Sequence, residues 1–326
     1  MARVAAIDCG TNSIRLLVAD VTAAVPSAAV PSKAGGRAEL RDVRREMRIV
    51  RLGQDVDATG RLAPEALERT RTALADYAAI ARDAGVERVR MVATSATRDA
   101  ANRDDFFEMV RRTLGAEAEV ITGAAEARLS FTGAVADLDP AQGPFVVADV
   151  GGGSTEVVLG EWDGVRAEVI AARSVDVGCV RITERYLHSD PPTAAEISAA
   201  ERFTTETLEQ AFAEVPVAKA RTWVGVAGTV TTLSGVAQRL PEYDPERLHL
   251  SRMSGEQVHA TVAKLLASTR EQRAADPVMH PGRVDVIGGG ALIVRVLAEQ
   301  LHARAGIDEL LVSEHDILDG IALGLA

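Results

Sequence analysis

Apolar and polar positions follow one another along this chain in a pattern that occurs twice. Apolar runs at residues 4–7 and 14–18 flank a short polar turn, and the same arrangement recurs at 145–148 and 157–159. An apolar run, a glycine-containing turn and a second apolar run predict a β-hairpin. Each half of the chain is therefore expected to open with a hairpin, as an ancient duplication would produce.

After each hairpin the pattern changes to alternating helices and strands, which is typical of an α/β protein. Residues 64–85 illustrate a helix: Pro64 suits its first turn, apolar residues recur on one face, and Gly85 suits its C-terminal cap. Further helices are expected at 104–114, 124–136, 193–213, 229–239, 255–268 and 290–304. Strands are expected at 44–52, 88–93, 119–121, 222–227 and 308–312, and a meander at 145–175.

Two segments without such a pattern suggest where the chain divides. Residues 138–144 form the clearest linker, and residues 23–38, rich in Ala, Pro, Ser and Gly, predict a flexible surface loop. We therefore expect domains at 1–138 and 139–326, with a terminal helix at 314–326 able to pack back on the first domain.

The start of that terminal helix has a recognisable signature. Ser313 is followed three residues later by an acid, which predicts a helix N-terminus. The neighbouring His315 and Asp316 are interpreted as capping chemistry rather than as a metal-binding pair, because no partner histidine lies at a suitable spacing.

Composition narrows the class of protein. Of the 326 residues 47% are apolar and 3% aromatic, and a formal net charge of −11 argues against a nucleic-acid or anionic-membrane partner. No lysine follows glycine in the pattern of a P-loop, so that kind of nucleotide site is excluded. Cys9 and Cys179 are expected to be reduced, buried thiols, and no signal peptide or membrane-spanning run is found, so we predict a cytoplasmic protein.

The turns of the two hairpins carry matching residue types. Residues 8–13 read Asp-Cys-Gly-Thr-Asn-Ser, and residues 149–154 read Asp-Val-Gly-Gly-Gly-Ser. Glycine lets backbone N–H groups converge on an anion, and an aspartate at a strand end can hold a divalent cation that binds phosphate. The pair predicts a metal–phosphate clamp in a cleft between the two halves.

These segments, together with residues 121–128 (Ile-Thr-Gly-Ala-Ala-Glu-Ala-Arg), resemble the exopolyphosphatase and guanosine pentaphosphate phosphohydrolase (Ppx/GppA) family. Supporting matches lie at 93–98, 178–184, 227–229 and 283–287, and the resemblance runs from residue 3 to the C-terminus. It implies an α/β fold of two duplicated actin-like (ribonuclease H-like) domains with an active-site cleft between them.

The resemblance also implies roles for individual residues. Glu126 aligns with the family's catalytic glutamate, and the first of the two adjacent glutamates that the family often has is Ala125 here. The implied ligands of Mg²⁺, or of Mn²⁺ as an alternative ion, are Asp8, Asp149 and Glu156. The implied phosphate contacts are Asn12, Ser13, Arg98, Gly151, Gly152, Gly153 and Ser154.

The implied activity is release of terminal phosphate from inorganic polyphosphate, with guanosine pentaphosphate hydrolysis as the alternative. A sugar-kinase-like phosphotransferase stays open but would need an adenine pocket and an aspartate base that the sequence does not convincingly supply. Ala125 keeps open a catalytically silent polyphosphate or alarmone sensor. The negative charge, and the lack of the helical domains that larger relatives append, predict a preference for short polyphosphates and distributive release. The family implies a homodimer.

Overall fold

The structure, a computed structural model, describes residues 1–22 and 38–326, so the predicted loop at 23–38 lies outside the described residues apart from its last position. The chain forms two compact units. The first unit comprises Met1–Pro140, Trp162–Glu168 and Asp316–Ala326, and the second comprises Ala141–Glu161 and Val169–His315.

The first unit is built on a five-stranded sheet with helices on its faces. Its strands are β1 (Ala2–Cys9), β2 (Ser13–Thr22), β3 (Glu39–Ile49), β4 (Arg88–Ala93) and β5 (Ala118–Val120). The helices between them are α1 (Val56–Thr59), α2 (Pro64–Asp83), α3 (Ser95–Asp99), α4 (Arg103–Leu114) and α5 (Gly123–Val135). The strand order is β3-β2-β1-β4-β5, so β1 is central and is buried on both faces from Val4 to Cys9. This position explains its continuous rather than alternating apolar run.

The second unit repeats this topology. Its strands are β6 (Phe145–Val150), β7 (Thr155–Trp162), β8 (Ala167–Val175), β9 (Thr222–Val226), β10 (Arg252–Ser254) and β11 (Glu309–Val312). Its helices are α6 (Cys179–Tyr186), α7 (Ala194–Glu214), α8 (Ala227–Gln238), α9 (Pro245–Leu248), α10 (Gly255–Ala267), α11 (Arg270–Ala274) and α12 (Ile287–Ala305). The strand order of the second sheet is β10-β11-β9-β6-β7-β8. In it β6 takes the place that β1 has in the first sheet: β6 pairs antiparallel with β7 and parallel with β9, as β1 does with β2 and β4.

The last helix, α13 (Ile317–Leu323), belongs to the first unit and lies backbone to backbone against α5. A Cβ on Gly133 of α5 would lie 1.9 Å from the carbonyl oxygen of Asp316, and a Cβ on Gly320 would lie 2.0 Å from that of Leu129. Both positions therefore require glycine for close approach. Ile317, Leu318 and Ile321 pack in one apolar cluster with Val4, Leu17 and Val92 of the sheet.

Most predicted elements lie within a few residues of the observed ones, and the differences have local causes. Strand β3 begins earlier than predicted because it pairs with β2 along nearly its whole length. The short elements α1, α3, α6, α9, α11 and β10 were not predicted. Ser313 does not cap the terminal helix, because its hydroxyl is bonded to the backbone of His315. Asp316 is the N-cap, in a capping box with Asp319, so its interpretation as a capping residue is confirmed. His315 is not part of this capping box, and its ring lies 4.4 Å from the ring of His249, a neighbour that the sequence spacing did not indicate.

Within the part of the chain that the structure describes, no helix combines the length and apolar character needed to cross a membrane.

Candidate functional site: two glycine-rich turns and their acids

The turn of the first hairpin is fixed by bonds through its backbone. Gly10 N–H donates to the carbonyl of Ser13 at 2.9 Å and closes the turn. The carbonyl of Thr11 accepts from Gly53 N–H at 2.8 Å, and the carbonyl of Asn12 accepts from the N–H groups of residues 50 and 51 at 3.0 and 2.9 Å. The segment 50–53 therefore holds the carbonyl side of this turn.

The turn of the second hairpin is closed and held in the same way. Gly151 N–H donates to the carbonyl of Ser154 at 3.1 Å. The carbonyls of Gly151 and Gly152 each accept at 2.9 Å from N–H groups in the first turn of α6, at residues 179 and 180. The carbonyl of Gly153 accepts from Nε of Arg181 at 2.9 Å. This turn thus satisfies donors that every helix N-terminus exposes.

The close contact between turn and helix depends on glycine at the N-cap of α6. A Cβ on Gly178 would lie 2.4 Å from both the carbonyl carbon and the oxygen of Gly152. Since the obstacle is backbone, no side-chain movement could relieve it. Gly178 is therefore part of the second turn's construction.

Anchoring these carbonyls also orients the amides that follow them. None of these peptides is cis, since the cis bonds lie at Gly143-Pro144 and Asp190-Pro191. In a planar trans peptide the C=O and the next N–H point in opposite directions. The N–H groups of five residues therefore point away from the segments that hold the carbonyls: Asn12, Ser13, Gly152, Gly153 and Ser154. All five were predicted phosphate contacts, and two such amide rows can each receive phosphate oxygens.

Two acids of the second hairpin face each other across its strands. Asp149 on β6 is in register with Glu156 on β7, so both side chains project from the same face of the sheet. Glu156 is 1% exposed and Asp149 7% exposed, and Ser174 donates to Oε1 of Glu156 at 2.6 Å. A pair of carboxylates in this arrangement offers the oxygen donors that Mg²⁺ prefers.

The corresponding acid of the first hairpin faces an arginine. Asp8 on β1 is in register with Arg15 on β2, whose Nη2 and Nε donate to the same oxygen, Oδ2, at 2.7 and 3.2 Å. Arg15 Nη1 donates to Asp316. Within residues 1–22 and 38–326, nothing donates a hydrogen bond to the buried Oδ1 of Asp8. Burial raises the pKa of Asp8, and the neighbouring Arg15 opposes this shift.

Glu126 lies in the first turn of α5, where it was predicted. Thr122 is the N-cap and accepts from Ala125 N–H at 3.2 Å, and Glu126 is 8% exposed. Arg98, from the short helix after β4, donates through Nη1 to Oε2 of Glu126 at 3.3 Å and to the carbonyl of Ile121 at 3.0 Å. The structure therefore brings Arg98 to the predicted catalytic carboxylate.

Ala125, which lies where the resemblance often implies a first glutamate, packs against the apolar cluster that contains α13. An acid here would face this apolar surface, so alanine suits its surroundings and Glu126 remains the acid of this turn.

Both cysteines are buried free thiols, as predicted. Burial raises the pKa of the Cys9 thiol and raises that of Cys179 to about 11. Neither thiol is a nucleophile near neutral pH, since the reactive form is the thiolate.

Comparison with known proteins agrees with this arrangement. Residues 29–324 match the Ppx/GppA phosphatase family. The chain belongs to this family. It is 60% identical over 331 residues to Exopolyphosphatase 2 of Mycobacterium tuberculosis (strain H37Rv), covering all of this chain and 99% of that protein. It is 32% identical over 232 residues to the guanosine-5'-triphosphate,3'-diphosphate pyrophosphatase of Photobacterium profundum, which covers 71% of this chain and 43% of that protein.

Solved structures of Ppx/GppA proteins share the fold. The crystal structure of an exopolyphosphatase-like protein, 42% identical, has a TM-score of 0.90 and covers 99% of this chain and 98% of that one. The Aquifex aeolicus PPX-GPPA enzyme, 32% identical, has a TM-score of 0.76 with 99% of both chains covered. The predicted α/β fold with two actin-like units is thereby confirmed.

Three residues that bond the acids of these hairpins, or bond the partner of such an acid, were not predicted to do so from the sequence: Arg15, Ser174 and Asp316. Arg15 could have been found, because it follows Asp8 by seven positions just as Glu156 follows Asp149. Ser174 and Asp316 had no comparable signal, because strand pairing and the return of the terminal helix bring them to the acids. The roles of all predicted site residues stay predictions.

Proposed function

We propose that this protein is an exopolyphosphatase that hydrolyses the terminal phosphoanhydride bond of inorganic polyphosphate. The observation that carries the proposal is the repeated turn, whose anchored carbonyls direct the amides of residues 12–13 and 152–154 away from their supports. Rows of backbone N–H groups suit phosphate oxygens, whose charge must be stabilised as the phosphoryl group is transferred. Full-length similarity to Exopolyphosphatase 2 supports polyphosphate as the substrate.

In the proposed reaction Glu126 is the general base. It accepts a proton from water as the water oxygen forms a bond to the terminal phosphorus, and the bridging P–O bond breaks. The products are orthophosphate and a chain shorter by one unit. Arg98 holds one carboxylate oxygen of Glu126 and so limits its rotation, and its cationic head is also a candidate contact for the phosphate chain.

Three carboxylates are proposed to hold Mg²⁺, with Mn²⁺ as the alternative ion: Asp149, Glu156 and Asp8. They fit such an ion because all offer oxygen donors, and because Oδ1 of Asp8 is buried and accepts no hydrogen bond from the described residues. When bound, the ion would neutralise phosphate charge in the transition state. We expect EDTA to stop phosphate release and added Mg²⁺ to restore it.

Hydrolysis of guanosine pentaphosphate is the second candidate, favoured by the similarity to guanosine-5'-triphosphate,3'-diphosphate pyrophosphatases. We also propose that short polyphosphates are preferred, since a net charge of −11 repels a long anionic chain beyond its bound end. The homodimer that the resemblance implies stays a prediction, which light scattering can check.

A phosphate-release panel tests these proposals. It compares short polyphosphate, long polyphosphate, guanosine pentaphosphate and ATP, each with Mg²⁺ or with EDTA. Release from polyphosphate that is faster than from guanosine pentaphosphate supports the first proposal, and the reverse order supports the second. Phosphoryl transfer from ATP to an acceptor would favour a kinase, and binding without turnover would favour a sensor.

Glu126→Gln tests the assigned base. We expect kcat to fall on the order of 10²–10⁴-fold with substrate binding largely kept, because glutamine keeps the volume but cannot accept the proton. Glu65→Gln is the matched control, since Glu65 also lies in the first turn of a helix of the first unit but is exposed. Near-wild-type kcat in Glu126→Gln would remove the role.

A further inference from the structure

Arg15 forms hydrogen bonds with two acids, Asp8 and Asp316, and uses a different number of nitrogens for each. A guanidinium facing a carboxylate commonly bonds both oxygens in parallel. Here Nε and Nη2 converge on Oδ2 of Asp8, and the third nitrogen, Nη1, donates to Oδ2 of Asp316. Oδ1 of Asp8 accepts no bond from the residues that the structure describes. Arg15 thus donates to both acids, and it leaves Oδ1 of Asp8 able to accept another ligand.

Asp316 is well placed to hold Arg15 in this position. Its Oδ1 accepts from Leu318 N–H at 3.0 Å and caps α13, so its other oxygen is fixed toward Arg15. Its backbone N–H donates to Asp319 at 2.9 Å, and the side chain is 3% exposed. The cap of the helix therefore fixes the orientation of this carboxylate.

The helix that carries Asp316 is itself fixed in place. The glycine contacts at Gly133 and Gly320 set the backbone of α13 directly against α5, the helix of Glu126. The second acid of the cap, Asp319, bonds Arg45 on β3 rather than Arg15. The two acids of this capping box thus bond arginines on two neighbouring strands, and of the two it is Asp316 that bonds Arg15.

The negative charge of Asp316 also affects how Arg15 pairs with Asp8. Two carboxylates share one guanidinium, so the group of Asp8, Arg15 and Asp316 keeps a net negative charge when all three are ionised. Without the charge of Asp316, Arg15 would neutralise Asp8 and its fork would be free to close on both oxygens of that carboxylate. Asp8 would then attract a cation less and present no open oxygen to it.

We propose that Asp316 is a positioning residue that acts through Arg15 to keep Oδ1 of Asp8 open for a divalent cation. This inference rests on the proposed function only in assigning Asp8 to a cation. Partners that orient a metal ligand typically change metal affinity by about 10–100-fold when they are removed.

The test is a Mn²⁺ titration without substrate, with free Mn²⁺ followed by electron paramagnetic resonance. The test variant is Asp316→Asn, because asparagine is an equally good N-cap but cannot carry the charge. The matched control is Asp319→Asn, which neutralises the other acid of the same capping box. We expect Asp316→Asn to weaken Mn²⁺ binding by about 10-fold or more. Asp319→Asn should bind Mn²⁺ as the wild type does, because the asparagine oxygen can still accept from Asp316 N–H and the Asp316 charge is kept.

Arg15→Lys gives a second, independent test, because a single ammonium cannot bridge both acids as the fork does. We expect Mn²⁺ binding to weaken, and the double variant Arg15→Lys/Asp316→Asn to lose little more than either single variant, since both act through one contact. If Asp316→Asn does not fold, Arg15→Lys decides alone.

Unchanged Mn²⁺ binding in folded Asp316→Asn, or equal losses in Asp316→Asn and Asp319→Asn, would overturn the inference. Failure of the proposed function would appear elsewhere, as a wild-type protein that releases no phosphate from polyphosphate. The two failures are distinguishable because the titration requires no turnover.

Discussion

The two hairpins of this protein share the hydrogen bonding that closes their turns, but they differ in the charge of one side chain. In each, a glycine N–H closes the turn on a serine carbonyl, at 2.9 Å between Gly10 and Ser13 and at 3.1 Å between Gly151 and Ser154. In each, an aspartate sits two residues before that glycine. Across the strand pair, however, Asp8 meets Arg15 and Asp149 meets Glu156.

This difference at one register position changes what each aspartate can do. Directly opposed side chains on paired strands interact strongly, and opposite charges there attract while like charges repel. The first hairpin therefore holds its aspartate by an internal ion pair, whereas the second concentrates acid on one face. The first unit thus presents one acid that an arginine holds by a single oxygen, and the second unit presents two acids side by side.

The largest expected effect on stability comes from removing the ion pair of the first hairpin. Arg15→Met should lower the free energy of unfolding by about 3–5 kcal/mol, because it leaves the buried carboxylates of Asp8 and Asp316 without their shared cation. Urea unfolding in EDTA, followed by circular dichroism, measures this. If Arg15→Met lowers the free energy of unfolding no more than Glu156→Gln does under the same conditions, the ion pair does not distinguish the first hairpin from the second.

A smaller effect is expected where each turn meets its support. Gly178→Ala places a Cβ against the backbone of Gly152 and should cost about 1–3 kcal/mol, because backbone must move. Gly53→Ala would meet mainly the side chain of Thr11 beside the first hairpin. Relieving this contact would break the 2.8 Å bond between Thr11 and Ser95 but would move no backbone, so this substitution should cost less than Gly178→Ala. Urea unfolding of both variants ranks them, and an equal or reversed order would show that the two turns are not held as described.

The smallest effect concerns the hydroxyl that supports Glu156. Ser174→Ala removes a bond of 2.6 Å to Oε1 and should cost about 1 kcal/mol of stability. It should also raise the Mg²⁺ concentration for half-maximal phosphate release, because Glu156 is then less well oriented. Ser198→Ala, on an exposed helix surface of the same unit, is the control. If Ser174→Ala needs the same Mg²⁺ concentration as the wild type, Ser174 has no part in orienting a ligand of the cation.

The hairpins and most longer elements could be predicted because their signals are local. A continuous apolar run ending in Asp and Gly marks β1 and β6, and Pro64 and Gly85 bracket α2. The acids Asp149 and Glu156 could be predicted as partners because seven residues around a four-residue turn return the chain to the same register position. Resemblance to a family assigned Glu126, and the structure places it in the first turn of α5.

Other features depend on contacts that no local pattern contains. Asp316 reaches Arg15 from 301 residues away, because α13 returns to the first unit. Helix α6 is short, and its first N–H groups are satisfied by the carbonyls of Gly151 and Gly152 rather than by a capping side chain. Arg98 was predicted to contact substrate, and its pairing with Glu126 follows from the packing of β4 beside β5.

We propose that Asp149 and Glu156 supply most of the protein's affinity for the divalent cation, and Mg²⁺-dependent thermal unfolding measures their contribution. A ligand that binds the folded state raises its stability by RT ln(1 + [L]/Kd), so a bound ion must raise the unfolding temperature. Glu161→Gln is the matched control, since Glu161 lies on the same strand but is exposed. We predict that Mg²⁺ raises the unfolding temperature of the wild type and of Glu161→Gln, and that Glu156→Gln loses most of this increase. An equal increase in all three proteins would exclude Glu156 as a ligand of the cation.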